Sequence, residues 1–141
     1  MAGGPGEEDL AELVRLADTM MVMAVVQAAD AGDALRRLSA RVPLSNLQLV
    51  VAGARVKKLC RLCGGNGCGP CRMAGFQGQT SLYELLPWTG AVARALKEGG
   101  DLSAFLVSSF AEQASLLLQE GTTTAAELSR VGIAVPAVRP A

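Results

Sequence analysis

The residues in this chain with the clearest chemistry are four cysteines. The segment Cys60-Arg-Leu-Cys63-Gly-Gly-Asn-Gly-Cys68-Gly-Pro-Cys71 sets two C-x-x-C pairs either side of a four-residue spacer. Each pair forms a tight turn that can aim two thiolates at one point. Two such turns supply four sulfurs in a tetrahedron, the closed geometry of a structural zinc site. Gly64, Gly65, Gly67 and Gly69 suit turns that fold back on a metal, because glycine accepts positive φ and close backbone approach. Four thiolates on Zn²⁺ carry a net charge of −2, and Lys57, Lys58, Arg61 and Arg72 flank the cluster to offset part of it. The expected ligands are therefore Cys60, Cys63, Cys68 and Cys71. The expected cofactor is one structural Zn²⁺, with no position left open for water or substrate.

Three other uses of four cysteines compete. A redox C-x-x-C needs a helix N-terminus directly after a strand, and Gly-Gly-Asn-Gly after Cys63 argues against a helix there. An iron–sulfur cluster usually includes at least one longer spacing. Two disulfides need an oxidising compartment, and nothing in the sequence points to one.

The rest of the sequence narrows the function by what it omits. The 141 residues contain no histidine, which excludes imidazole-based triads and His-ligated metal hydrolases. There is no G-x-x-x-x-G-K-[ST] phosphate loop and no nucleophile beside a base. Glu84 and Glu127 read as single surface or capping carboxylates, and no catalytic residue is expected. Thirteen basic and thirteen acidic side chains cancel, and only 4% of residues are aromatic, so no nucleic-acid surface is expected. Half of the residues are hydrophobic, which favours a folded chain. The longest apolar runs fall far short of the roughly 20 residues of a membrane span. With no signal-peptide pattern at the start, the expected location is cytoplasmic.

Periodicity and punctuation then place elements around the cysteines. A helix is expected over 7–17, with Leu10, Leu13, Val14 and Ala17 at helical spacing. The continuous apolar run over 20–26 (MMVMAVV) fits a buried, parallel-type strand, and the run alone is equally compatible with a helix segment. A helix over 31–41 is capped by Asp30 and ends before Pro43, and a second over 44–53 starts at Ser45. Strands are expected over 55–59 and 79–86, on either side of the cysteines. Helices follow over 89–97, stopped by Gly99-Gly100, and over 101–120 as one long element starting at Asp101. A short last helix starts at Thr124, which has capping-box spacing to Glu127. The lead 1–6 and the tail from Val135 read as loose.

The stretch KKLCRLCGGNGCGPCRMAGFQGQTSLYELLP resembles the tetracysteine region of the type II secretion and type IV pilus assembly ATPases. In that family paired C-x-x-C units precede a G-[YF]-x-G-[RQ] turn and an [IL]-[YF]-E-[LM] strand. Here these are Gly75-Phe76-Gln77-Gly78-Gln79 and Leu82-Tyr83-Glu84-Leu85. The segment from Gly121 through Glu127 and Arg130 to Val131 is similar to the family's G-x-T-[ST]-x-x-E-[VL]-x-R-V ending. Together these motifs cover about residues 55–132. Residues 7–54 resemble the last part of the family's RecA-like domain, with departures. Gln27 stands where the family has a histidine, and Gly53-Ala54-Arg55 stands where it has Q-R-L. One cysteine unit also fits the C-x-x-C-x-G-x-G repeat of chaperone zinc modules, but Cys71 continues into Arg72-Met73-Ala74, which breaks that repeat.

The resemblance implies an α+β chain. Its parts would be a flexible lead (1–6), a partial RecA-like remnant (7–54), a tetracysteine region (55–86), a C-terminal helical bundle (87–132) and a loose tail (133–141). It also implies a non-catalytic zinc-binding component of a secretion or pilus machine, because the Walker motifs are absent from these residues. Implied partners are secretion or pilus ATPase subunits or an inner-membrane platform protein, with the chain peripheral to that membrane through a partner. The alternative is one part of a functional ATPase whose Walker motifs lie on a separate chain or an upstream segment.

Overall fold

The computed structural model describes residues 7–134, so the expectations for the lead and for the tail from Val135 lie outside the described residues. The described chain mixes helices with one two-stranded sheet, the α+β class expected. In chain order the elements are α1 (Glu7–Leu16), α2 (Ala31–Ser39), β1 (Leu49–Leu59), β2 (Phe76–Pro87), α3 (Gly90–Lys97), α4 (Phe110–Gln119) and α5 (Ala125–Arg130), with a single 3₁₀ turn at Ser103–Phe105. Backbone bonds from Trp88 to Gln48 and from Cys60 to Gly75 show that β1 and β2 run antiparallel. Residues 60–75, which hold all four cysteines, are thus the loop of a long β-hairpin.

The chain divides into two compact units, and both strands run through each. The first comprises Met1–Ala52 and Glu84–Val107. Its core packs Ala31, Ala34 and Leu35 of α2 against Val50, Leu86, Val92 and Leu102. Asp30 caps α2 by accepting the Asp33 N–H, as expected, and Thr89 caps α3 by accepting the Val92 N–H. Gly99, at φ 68°, follows the end of α3. The second unit comprises Gly53–Tyr83 and Ser108–Ala141 and buries Val56, Leu82, Phe110, Ala114 and Leu128.

Three expected elements come out differently. The run over 20–26 is neither strand nor buried: Met21, Met23 and Val25 are 91%, 89% and 86% exposed. Among the described residues the sheet holds only β1 and β2, and no neighbouring strand covers the run. The helix expected over 44–53 gives way to the first half of β1. β-branched Val50 and Val51 and the alternation that buries Val50 and Val56 suit a pleated strand better than a helix. The single helix expected over 101–120 is two pieces. Asp101 does accept hydrogen bonds, but from the N–H and hydroxyl of Ser103 in a 3₁₀ turn. The real start is Ser109, whose hydroxyl accepts the Glu112 N–H. Between them the Val107 N–H donates to Leu85 O of β2, drawing the chain out of helical geometry.

Candidate metal centre

Residues 57–59 of β1, which enter the cysteine loop, are clamped along one edge by the segment leading into α5. The Leu59 N–H donates to Thr122 O at 2.7 Å, and the Thr123 hydroxyl donates to Lys57 O at 2.8 Å. The Lys57 N–H donates to a Glu127 carboxylate oxygen at 2.9 Å. Glu127 is held in turn by Arg130, whose Nε and Nη2 donate to both its oxygens at 2.9 and 2.6 Å. Thr124 caps α5 by accepting the Glu127 N–H, so half of the predicted capping box forms while the Glu127 side chain turns to β1. The Arg130 hydrogen bonds come first, then that from Lys57, in pulling the Glu127 carboxyl down to about 2 against the opposing effect of burial.

Above this clamp the two C-x-x-C turns face each other. Gly64 N–H bonds back to Cys60 O at 2.8 Å in the first turn, and Met73 N–H to Cys68 O at 2.8 Å in the second. In both, the residue after the second cysteine is left-handed: Gly64 at φ 61° and Arg72 at φ 55°. Met73 continues at φ 63°. The two turns touch through backbone at Gly75, where an added Cβ would lie 2.5 Å from Gly65 O.

This brings the four predicted ligands together. The sulfur atoms of Cys60, Cys63, Cys68 and Cys71 all lie within 4.8 Å of one another. Cys60–Cys68, Cys63–Cys71 and Cys68–Cys71 are 3.7, 3.8 and 3.5 Å apart. All four are free thiols, with Cys60 and Cys71 buried and the other two half-buried. Four sulfurs placed about 2.3 Å from a common centre stand about 3.8 Å from each other, so the cluster is dimensioned for a tetrahedral metal ion.

The backbone already solvates thiolate charge at this point. Gly67 N–H donates to Cys63 Sγ at 3.2 Å; Cys68 and Gly75 N–H donate to Cys71 Sγ at 3.3 and 3.4 Å. Burial opposes ionisation of Cys71, yet these amides and the neighbouring thiols bring it down to about 6. Burial likewise opposes ionisation of Cys63, but the amides of Gly65 and Gly67 lower it. An amide on the Cys71 side favours the Cys68 thiolate, but burial and three crowded sulfurs push it up to about 12. Four thiols this close cannot all ionise by themselves. A cation at their centre would resolve the conflict and expel the remaining protons. The surrounding chain helps, since residues 53–83 carry Arg55, Lys57, Lys58, Arg61 and Arg72 and no acidic residue. Lys57 places its ammonium 6.0 Å from the centre of the Phe76 ring.

Two carboxylates take roles that sequence reasoning missed. Glu84 and Glu127 are buried, at 8% and 6% exposure. Glu84 accepts the N–H of Ala31 at the start of α2, a favourable place for a negative charge. Neither contact is legible locally, because the partners lie 53 and 70 residues away. In the cleft beside α2 lined by Asp30, Glu84 and Asp101, all three acids accept backbone N–H groups, and Asp101 also accepts the Ser103 hydroxyl at 2.7 Å.

No helix among the described residues is long and apolar enough to cross a membrane. No protein-family model matches the chain, and no curated protein matches it.

Proposed function

We propose that this chain is a non-catalytic, zinc-stabilised interaction module, equivalent to the C-terminal part of a type II secretion or type IV pilus assembly ATPase. The observation that carries the zinc reading is the sulfur cluster, whose closest separations of 3.5 to 3.8 Å match the edge of a zinc tetrathiolate. Cys60, Cys63, Cys68 and Cys71 hold the ion. It supplies a cross-link that closes the hairpin loop, and four protein sulfurs leave no position for a reacting water. Tetrahedral sulfur also suits iron, so metal identity belongs in the test.

The proposed link to the secretion ATPases rests on motifs that all contribute to one structure. The Gly75 turn packs on the first cysteine unit, and the Leu82–Leu85 motif lies within β2. The Glu127 and Arg130 of the third motif form the ion pair that clamps β1. In this reading the partners are secretion or pilus ATPase subunits or their inner-membrane platform protein, and the chain works at the cytoplasmic side.

Elemental analysis of the purified full chain tests the first part, with one zinc per chain and no iron absorbance expected. Calorimetric titration with Mg-ATP tests the second, with no heat of binding expected. Turnover by the chain alone overturns the non-catalytic reading. Turnover only on mixing with a Walker-bearing subunit assigns it to a divided ATPase instead.

A further inference from the structure

The neutrality of the whole chain conceals a segregation of charge. All 13 acidic residues lie outside residues 53–83, a stretch of the second unit that carries Arg55, Lys57, Lys58, Arg61 and Arg72. Among the described residues none of these five side chains is in an ion pair. The other acids of the same unit, Glu112, Glu120 and Glu127, belong to α4, its C-cap and α5, and Glu127 is occupied by Arg130. A zinc tetrathiolate offsets two positive charges, so the hairpin keeps an excess.

The two strands set part of this charge on an open face. Arg55 and Lys57 of β1 are exposed on either side of buried Val56. On β2, Gln77, Gln79, Ser81 and Tyr83 are exposed, with Leu82 buried between the last two. Tyr83 meets β1 at Gly53, where an added Cβ would stand 3.6 Å from Cδ1 and Cε1 of the ring. The missing side chain leaves the ring a flat seat, and Tyr83 remains 50% exposed. Arg61 and Arg72, both exposed, carry the positive charge onto the loop.

We propose that this face binds single-stranded RNA, with a base stacked on Tyr83 and the sugar–phosphate backbone following Arg55 and Lys57 toward Arg61 and Arg72. This goes beyond the module role proposed above and uses no chemistry of the metal. Charge complementarity calls for a polyanion, because five cations face no acid of their own segment. Alternate residues of a strand stand about 6.7 Å apart, a repeat that suits successive phosphates of an extended chain. The half-open tyrosine calls for bases rather than carboxylates, since a base offers a face for stacking whatever its sequence. Those bases must be unpaired, because in a duplex their faces are already covered. Gln79 and Ser81 present side chains that both donate and accept, as a ribose 2′-hydroxyl does.

Fluorescence anisotropy of a labelled mixed-sequence RNA of about 12 nucleotides, titrated with the full chain at several salt concentrations, tests this. The expected result is saturable binding whose logarithmic salt slope is about −2.8, from four phosphate contacts on a single strand. Tyr83→Ala should weaken binding at least about fivefold without changing the slope, and Tyr83→Phe, which keeps the ring, should bind as the parent does. Arg55→Gln and Lys57→Gln should each make the slope shallower by about 0.7, whereas Arg41→Gln, at an exposed position of the first unit, should leave it unchanged. Unchanged metal content and melting temperature show that each variant keeps the fold. DNA of the same sequence should bind more weakly, and duplex RNA should not compete. No binding at low salt overturns the proposal, as does indifference to Tyr83→Ala, or a slope that responds equally to Arg41→Gln and Arg55→Gln. DNA bound as tightly as RNA overturns it too. Displacement of the RNA by polyglutamate at matched charge would assign the face to an acidic protein segment instead.

Discussion

Replacing Gly75 by alanine isolates the contact that joins the two cysteine turns. Two costs apply. At φ 78° an L-residue is in the left-handed region, which disfavours it by about 1 to 2 kcal/mol. The new methyl carbon would also stand 2.5 Å from Gly65 O and 3.0 Å from its carbonyl carbon, and these are backbone atoms with no rotamer to yield. Overpacking of this kind costs about 1 to 3 kcal/mol. The lower entropy of alanine in the unfolded chain returns about 0.4 to 1 kcal/mol. The balance is a loss of about 1 to 4.6 kcal/mol, or a roughly 5- to 2,000-fold weaker hold on the metal, because ligation and local folding are linked. Gly78→Ala is the control. Its φ of 81° is nearly the same, but nothing lies within 4 Å of the added atom, so only the dihedral cost applies. Competition for zinc against a chromophoric chelator measures both variants. Gly75→Ala should lose at least about fivefold more affinity than Gly78→Ala, the part due to overpacking alone. Equal affinities would refute the claim that backbone contact at this glycine holds the turns together.

Substitutions at two further positions separate local effects. Arg72 is left-handed at φ 55°, so Arg72→Gly should be tolerated while Arg72→Val should be worse than it by about 1 to 2 kcal/mol. Both remove the same charge, and the chelator concentration at half loss of metal reports the difference. Acidification probes the Glu127 clamp. Because its folded carboxyl titrates near 2 rather than at the ordinary 4.5, its stabilisation is complete above 4.5 and is lost as pH falls toward 2. Glu127→Gln should therefore lower the melting temperature near neutrality and flatten its dependence on pH below 4.5; an unchanged acid limb contradicts the assignment.

What the sequence made legible was mostly what is decided within a few residues. Cysteine spacing located all four sulfurs, and Asp30 and Thr124 located two helix starts through caps whose partner amides lie three residues on. The failures share a different cause. Ser109 and Glu112 also have capping-box spacing, but the apolar spacing from Leu102 to Leu118 masked that start, and the break depends on the bond from Val107 to Leu85. Residues 49–53 take strand form because β2 lies beside them, a pairing fixed more than 30 residues away. Burial of Glu127 is likewise decided by an amide 70 residues distant. Local chemistry specified the four clustered cysteines, and remote backbone partners specified the frame that holds them.

That division bears on how the module should respond to loss of metal. Within the hairpin loop, residues 60–75, only Cys60, Cys71 and Gly75 are buried, and Leu62 and Met73 are each 72% exposed. No apolar side chain other than the ligands is buried there, so hydrophobic burial contributes almost nothing to ordering the loop. The first unit, by contrast, has a contiguous core around Leu35, Leu86 and Val92 that contains no cysteine. Chelation should thus melt the loop and leave α2 and α3 folded. In amide exchange after metal removal, Gly64, Gly67, Met73 and Gly75 should lose protection while the amides of α2 and α3 keep theirs. Simultaneous loss in all of them would mean that the metal organises the whole chain; retained protection in the loop would mean that its turns stand without any ion.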